Sequence, residues 1–419
     1  MKDEVLTKLL ALEILRQRQG IELIPSENYV SKDVLEALGS VFTNKYSEGY
    51  PGQRYYAGQE NTDQVEQLAI DRAKKLFKAD HANVQPHSGA QANEVAYNSW
   101  CDPGDTILAM DLSHGGHLTH GHPVTMLARQ FNFVRYGMKD ISTGELDYAA
   151  IRKLAKKHQP KIILVGFSAY PREPDYAKFA EIGNEIGAVL MADIAHIAGL
   201  IAAGVVKNPF DYGFHMMTST THKTLRGPRG GLILTRGKVT NPLKKPEKTI
   251  ENLPTLVDRT LFPGVQGGPH MHAVLAKAVA FGEALAPEFK LYSKQILLNA
   301  SHLASELKKR NFKLITGGTS NHMMLIDMLG SRGIDGAEAE TALEAIGITS
   351  NKNAIPDDTN PPFRPSGLRL GTPAVTTRGL TEEHMELIAD WIDRAISSRS
   401  SKKQLAELRQ QTKEFISRY

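Results

Sequence analysis

The sequence predicts an α/β protein with a large, mostly parallel central sheet followed by a smaller α/β C-terminal domain, and three observations carry that expectation. Between Thr106 and Thr235, apolar runs of strand length alternate with longer amphipathic stretches, the pattern of parallel strands joined by crossover helices. The chain has 419 residues, about 2.8 times a domain of about 150 residues and enough for two domains. Apolar residues make up 41% and charged ones 23%, a globular balance that supports a large core without disulfides and excludes disorder as the main theme.

The elements follow in order. MKDEVLTKLLALEILRQRQG carries Leu6, Leu9, Leu10 and Ile14 at helical spacing, so an amphipathic helix is expected whose stripe is covered by its own core or by a second subunit. Charges interrupt each of its apolar stretches, which argues against a secretory or membrane-spanning segment. TILAM, KIILVGF, AVLMAD, HMMTST and GGLILT are strand candidates, and Pro174 to Gly187 reads as a helix between two of them. Lys238 to Asp258, rich in Lys, Pro and Asn, reads as a surface excursion. After His270 the chain turns helical through AVLAKAVAFGEAL and again from Leu291 to Arg310. LITGGTS, HMMLIDM and LRLGTPAV are weaker strand candidates, and Ala337 to Ala345 and Glu382 to Ser397 read as helices. Lys402, Lys403 and Arg409 are expected on a solvated helix face.

A formal charge of +4 is too small an excess to favour nucleic acid as a ligand. The single cysteine, Cys101, can form no internal disulfide, which fits a reducing compartment, with the cytoplasm as default.

Ligands of open parallel sheets bind at the carboxyl ends of strands, so the polar residues after each apolar run are where chemistry is sought. HMMTST runs into THKTLRGPRGG and places Lys223 at a strand end beside His222, Arg226 and Arg229. Like charges there favour a neutral amine able to form a Schiff base with an aldehyde, although Lys223 taken alone reads better as a solvated turn residue. AVLMADIAHIAGL ends a strand at Asp193, with His196 three residues on. That carboxylate suits the protonated pyridine nitrogen of pyridoxal phosphate or, equally, a helix N-cap. In VQPHSGAQANEVAY, Ser88, Gly89 and Ala90 open a helix whose backbone N–H groups suit a phosphate.

Arg369 in SGLRLGTPAVTTRG suits a bidentate grip on a carboxylate or an interdomain salt bridge. NKYSEGYPGQRYYAG gathers Tyr46, Glu48, Tyr50, Arg54, Tyr55 and Tyr56 between glycines, the composition of a site more than of a core. Glu48 reads there as an acid-base group or as a structural partner of Arg54. LSHGGHLTHGHP holds His114, His117, His120 and His122. It lacks cysteine and HExxH spacing, so a ring-face or hydrogen-bond role is expected rather than a metal.

These segments, with LIPSENY, DIAHIAGLIAAGV, HGGHLTHG and FPGVQGGP, stand in the order found in the serine hydroxymethyltransferases, a family the chain resembles over essentially its whole length. The resemblance implies a fold-type I, aminotransferase-like pyridoxal phosphate enzyme, active as a homodimer or a dimer of dimers. Its reaction interconverts serine and tetrahydrofolate with glycine and 5,10-methylenetetrahydrofolate. The implied division is an arm over 1–54 contacting the partner, a large cofactor domain over 55–273 and a small domain over 274–419.

Carried over, Lys223 is the cofactor-bonded lysine, Asp193 the pyridine partner, His117 the ring-stacking histidine and His196 the neighbour of the phenolic oxygen. Ser88, Gly89 and Ala90 match the phosphate turn, Gly267 and Gly268 match phosphate contacts from a neighbouring subunit, and Ser168 and His222 are further cofactor contacts. Tyr46, Glu48 and Tyr56 match a site tyrosine, the catalytic acid and a second tyrosine, several reaching across the interface. Ser26, Glu48, Tyr56 and Arg369 match substrate contacts, and Leu112, Gly116, His117, Leu118 and Asn353 the folate site. Ala90 stands where the family usually has serine and Ser219 where it has threonine, while Pro171, Arg172 and the long Lys238 to Asp258 stretch are less usual. A threonine aldolase or an aminotransferase would use the same lysine and aspartate without needing the folate-matching segments.

Overall fold

The computed structural model describes residues 2–239 and 246–419. Its central sheet has seven strands: β1 (His81–Asn83), β2 (Thr106–Met110), β3 (Asn132–Tyr136), β4 (Ile162–Gly166), β5 (Val189–Asp193), β6 (Met216–Thr220) and β7 (Gly231–Thr235). They lie in the order β1-β7-β6-β5-β4-β2-β3. Strands β2 to β6 run parallel, and β7 is antiparallel to both neighbours. Strand β4 and residues Val189–Ala192 of β5 are apolar because both faces are covered, whereas β6 turns polar at Thr218, Ser219 and Thr220. Ile163, Val165, Leu190 and Ala192 enter one core, whereas Ile162, Leu164, Val189 and Met191 enter the other, as the two-residue period of a strand requires.

The crossover helix Tyr176–Ile186 shows why its segment is helical. Asp175 caps it by accepting from the Lys178 N–H, Gly187 ends it at φ 68°, and Tyr176, Phe179 and Ile182 form its buried face. Gly183 lets it approach the sheet, since a Cβ there would come within 2.6 Å of Leu190 Cδ2.

A second, antiparallel sheet is made of β8 (Lys313–Leu314), β9 (Met323–Asp327), β10 (Asn351–Asn353) and β11 (Gly367–Gly371), in the order β8-β9-β11-β10. Its core joins Met324, Ile326, Leu368 and Leu370 to Ala300, Leu303 and Leu307 of the helix Pro287–Lys309. Ile21 and Leu23 belong to this core as well, and Ile21 pairs with Ile348. Val274, Ala278 and Phe281 still pack into the large core, so the change of core falls within Pro287–Lys309, later than residue 273.

Several sequence expectations are corrected. In LITGGTS only Leu314 is strand, as the end of Lys313–Leu314, because Thr316, Gly317 and Gly318 all take positive φ. LRLGTPAV leaves the sheet at Gly371, and Pro373, suited to a first helical turn, begins the helix Pro373–Thr377. Residues 240–245 of the Lys238 to Asp258 stretch lie outside the described residues, and its end is no surface excursion. Leu253–Arg259 is a helix that buries Leu253 and Val257. Lys402 and Lys403 are exposed, but Arg409 donates to the Gln19 carbonyl at 2.9 Å and is not simply solvated. The N-terminal helix Glu4–Gln19 buries none of its residues, and Leu9 is 56% exposed, so its stripe is not covered by its own chain. Among the described residues no helix is long and apolar enough to cross a membrane.

Candidate active site

A cavity of about 550 Å³ opens at the carboxyl ends of β4, β5 and β6, where Asp193 stands in register with Gly166 and Thr218. Its lining brings together Ser26, Ser88, Gly89, Ala90, Leu112, His117, Leu118, Ser168, Asp193, His196, His222, Lys223 and Arg369. Most of these residues follow strands of the central sheet that end at one edge, while Ser26 and Arg369 reach the cavity from outside that sheet.

Lys223 sits in the turn after β6, only 8% exposed. Among the described residues its Nζ makes no hydrogen bond, although the side chain lines the cavity. Burial, joined by the charges of Arg369 and Arg229 and opposed by Asp193, brings its pKa down to about 8. Of the like charges expected from the sequence only Arg229 acts on it, and burial is the larger cause. Arg226 turns away, its guanidinium 4.7 Å from the Tyr292 ring centre, and burial holds His222 neutral with a pKa of about 3.

Asp193 ends β5 and is held on both oxygens. Asn93 Nδ2 donates to Oδ2 at 2.8 Å, His120 Nε2 meets the same oxygen at 3.1 Å, and the Ala195 N–H donates to Oδ1 at 3.1 Å. Burial by itself would raise this carboxyl, but hydrogen bonding and charge from His120, with His117 and Asn93, outweigh it and keep the pKa below the ordinary value. The helix-cap alternative does not hold, because the next helix, Ala198–Ala202, begins after Ile197.

Ser88 is the N-cap of the helix Gly89–Trp100, its Oγ accepting from the Gln91 N–H at 3.2 Å. Gly89 lets the turn pack closely on β6, since a Cβ would come within 2.6 Å of Thr220 Cγ2. His117 is neutral, lowered by burial to a pKa of about 4, with Nδ1 engaged by Thr119 Oγ1 at 2.7 Å. His196 Nδ1 lies 3.2 Å from His322 Nε2, and burial keeps both rings well below their usual pKa.

Arg369 projects from β11 and crosses to the large domain, donating to Ser168 O and, from Nε, to Asn351 Oδ1 at 3.1 Å. Among the described residues no carboxylate pairs with it, so the interdomain salt bridge is not formed. Burial draws its pKa to about 10, leaving it cationic at neutral pH. Pro171 and Arg172 reinforce the same junction, where Pro171 O accepts from the Ser320 N–H at 2.9 Å and Arg172 Nη2 donates to Thr316 O.

Seven residues expected at the site do not line this cavity. Gly116 lies behind the wall, its carbonyl accepting from Ser168 Oγ at 2.6 Å, and Asn353 bonds Ala354 O from β10. Tyr46, Glu48, Tyr56, Gly267 and Gly268 form a separate cluster. The Tyr46 and Tyr56 rings lie 5.0 Å apart, and Cβ atoms built on Gly267 and Gly268 would come within 3.0 Å of Glu48 Oε1 and Tyr46 Cε1. Tyr46 is 54% exposed. Arg54 is not the partner of Glu48, because its guanidinium pairs with Asp63 at 2.9 Å and Glu66 at 2.5 Å.

Sequence reasoning missed Asn93 and His322 and left His120 without a partner. Asn93 stands one helical turn beyond Gly89 and is buried, so a polar residue on the inward face of a small-residue helix was the available signal. His322 precedes β9 with no local pattern to mark it.

The donor set suits a phosphorylated pyridine aldehyde: a helix N-terminus for the phosphate, an anchored carboxylate for the ring nitrogen, and for the aldehyde a buried amine that makes no hydrogen bond among the described residues. A family model described as Serine hydroxymethyltransferase matches residues 1–392, a span that includes both clusters. On that match the chain belongs to the serine hydroxymethyltransferase family, fold-type I pyridoxal phosphate-dependent transferases that interconvert serine and glycine with folate.

Proposed function

We propose that the cavity holds pyridoxal phosphate between Ser88, Asp193, His117 and Lys223, and that serine enters with its carboxylate on Arg369 and Ser26. The observation that carries this reading is the pairing on one cavity of the buried Lys223 amine and the partly buried Arg369 guanidinium, neither of which meets a carboxylate among the described residues. When bound, the cofactor supplies an aldehyde for amines and a ring that spreads negative charge from the substrate α-carbon.

The chain's residues do the rest. Lys223, near half neutral at mildly alkaline pH, presents a nucleophilic amine without needing a separate base. Asp193, anchored by Asn93 and His120, holds the proton on the ring nitrogen. Neutral His117 offers a ring face without adding charge, and His196, His222 and Ser168 complete the wall. Arg369 fixes the substrate carboxylate, and with it the orientation of the side-chain carbon. Glu48 moves the proton of the serine hydroxyl oxygen as the side-chain carbon is transferred.

Glu48 lies outside its own chain's cavity, so the proposed unit is a homodimer, or a dimer of such dimers, in which Tyr46, Glu48, Tyr56, Gly267 and Gly268 complete the neighbour's site. The half-exposed tyrosines and the uncovered face of Glu4–Gln19 support this arrangement. Folate is proposed to lie along Leu112 and Leu118 at the cavity, backed by Gly116 and Asn353. The first 54 residues act as an arm toward the partner, and the lone buried Cys101 supports a cytoplasmic location. The test is a purified protein that binds the cofactor with a visible absorbance band and forms glycine from serine only when tetrahydrofolate is present. Cofactor binding without folate-dependent turnover would overturn the substrate assignment.

A further inference from the structure

The helix Met271–Ala284 carries a buried lysine that the reaction does not use. Lys277 is 2% exposed, and its ammonium donates to three backbone carbonyls: Val84 O at 2.6 Å, Gly231 O at 2.9 Å and Pro86 O at 3.0 Å. Three donors meet three acceptors, so the group is saturated. Two of the acceptors belong to the segment that leads directly into Ser88 and Gly89. The third is the first residue of β7, which follows Arg229 on the cavity wall. Gly231 is packed so tightly here that a Cβ would lie 2.3 Å from Ser88 O.

No carboxylate lies within ion-pair distance of Lys277 among the described residues, so this buried positive charge is balanced chiefly by carbonyl dipoles, with Glu66 acting from farther off. Such a charge is costly unless an anion comes close. The anion that this position would serve is a phosphate at the Ser88 turn. We propose that Lys277 is a positioning residue which braces the Ser88–Gly89 turn against β7 and stabilises a phosphate dianion there from behind. The inference rests on the reading that this turn receives the cofactor phosphate.

The geometry has a consequence for pH. Burial already lowers the Lys277 pKa to about 7, with Glu66 opposing. A bound dianion raises it again, so phosphate binding takes up a proton wherever the empty site has lost one. The other groups that sense Lys277 are His87 and His222, lowered mainly by burial to about 4 and about 3, and His270, also lowered by burial. All three stay neutral above pH 7, and Glu66 is paired with Arg54.

The test compares pyridoxal phosphate with pyridoxal on the full-length apoprotein. The two share the aldehyde and ring, so the titration of Lys223 affects both alike and cancels in the ratio of their affinities. The phosphate is already a dianion above about pH 7, and the ratio is expected to fall by up to about tenfold per pH unit from there as Lys277 loses its proton. In K277M the ratio should be lower by about tenfold at pH 7 and flat with pH, with pyridoxal affinity nearly kept. A wild-type ratio that does not change from about pH 7 to pH 9 overturns the proposal whether or not K277M folds. A K277M protein that loses affinity for both compounds equally, or keeps the wild-type pH trend, overturns it too. If the wild type shows no preference for the phosphorylated compound at any pH, the failure lies with the phosphate assignment of Ser88 instead.

Discussion

The Asp193 carboxylate and the His120 imidazole lie 3.1 Å apart, with their side chains 11% and 1% exposed. This contact, with Asn93, aims the carboxylate that would meet the ring nitrogen. Replacing His120 with Ala removes the largest influence holding that carboxyl down. Turnover should fall by about 10- to 100-fold, the usual cost of losing an orienting partner, while the cofactor still binds. Wild-type kinetics in that variant would show that Asn93 suffices.

Lys223 makes the pH dependence explicit. Its folded pKa, about 8, lies below the ordinary value, so the reactive neutral amine increases as pH rises through that region. Capture of pyridoxal phosphate by the apoprotein, followed by stopped-flow absorbance, should accelerate with a midpoint of about 8. Arg369 contributes to the lowering, so Arg369→Ala should move the midpoint up and weaken serine binding far more than cofactor binding. A midpoint unmoved in that variant would detach Arg369 from the lysine, and unchanged serine affinity would make it purely structural.

Glu48 is free of Arg54, whose guanidinium is taken by Asp63 and Glu66. Glu48→Gln should therefore leave melting temperature and cofactor content unchanged while folate-dependent turnover falls by about 10²- to 10⁴-fold. Loss of cofactor or of stability in parallel with activity would return Glu48 to a structural role.

The division of the expected site into two clusters predicts complementation. Variants altered at Lys223 alone and at Tyr46 alone should each be inactive, and mixed heterodimers should regain part of the activity, because one of their two sites is intact. Verified heterodimers without any recovery would mean that each site is built from a single chain.

The sequence by itself determined the strands at Thr106–Met110, Ile162–Gly166, Val189–Asp193, Met216–Thr220 and Gly231–Thr235 and the crossover helix, and it marked the polar residues at their ends, but the strands His81–Asn83, Asn132–Tyr136 and Asn351–Asn353 do not stand out in it. Lys223, Asp193, Ser88 and Arg369 could be picked out because each follows a short apolar run or opens a helix, and such patterns are written in neighbouring residues. Partnership was decided only by the tertiary structure. Arg54 was read beside Glu48 but reaches Glu66 on another element, and Arg226 was placed beside Lys223 but stacks on Tyr292. Lys277 looks like an ordinary helix lysine until Val84 and Pro86, almost two hundred positions away, turn their carbonyls toward it. Burial, charge balance and the separation of Glu48 from Lys223 all depend on contacts between distant segments. Local periodicity carries no record of those contacts, because it sets which face of an element turns inward and not what that face will meet.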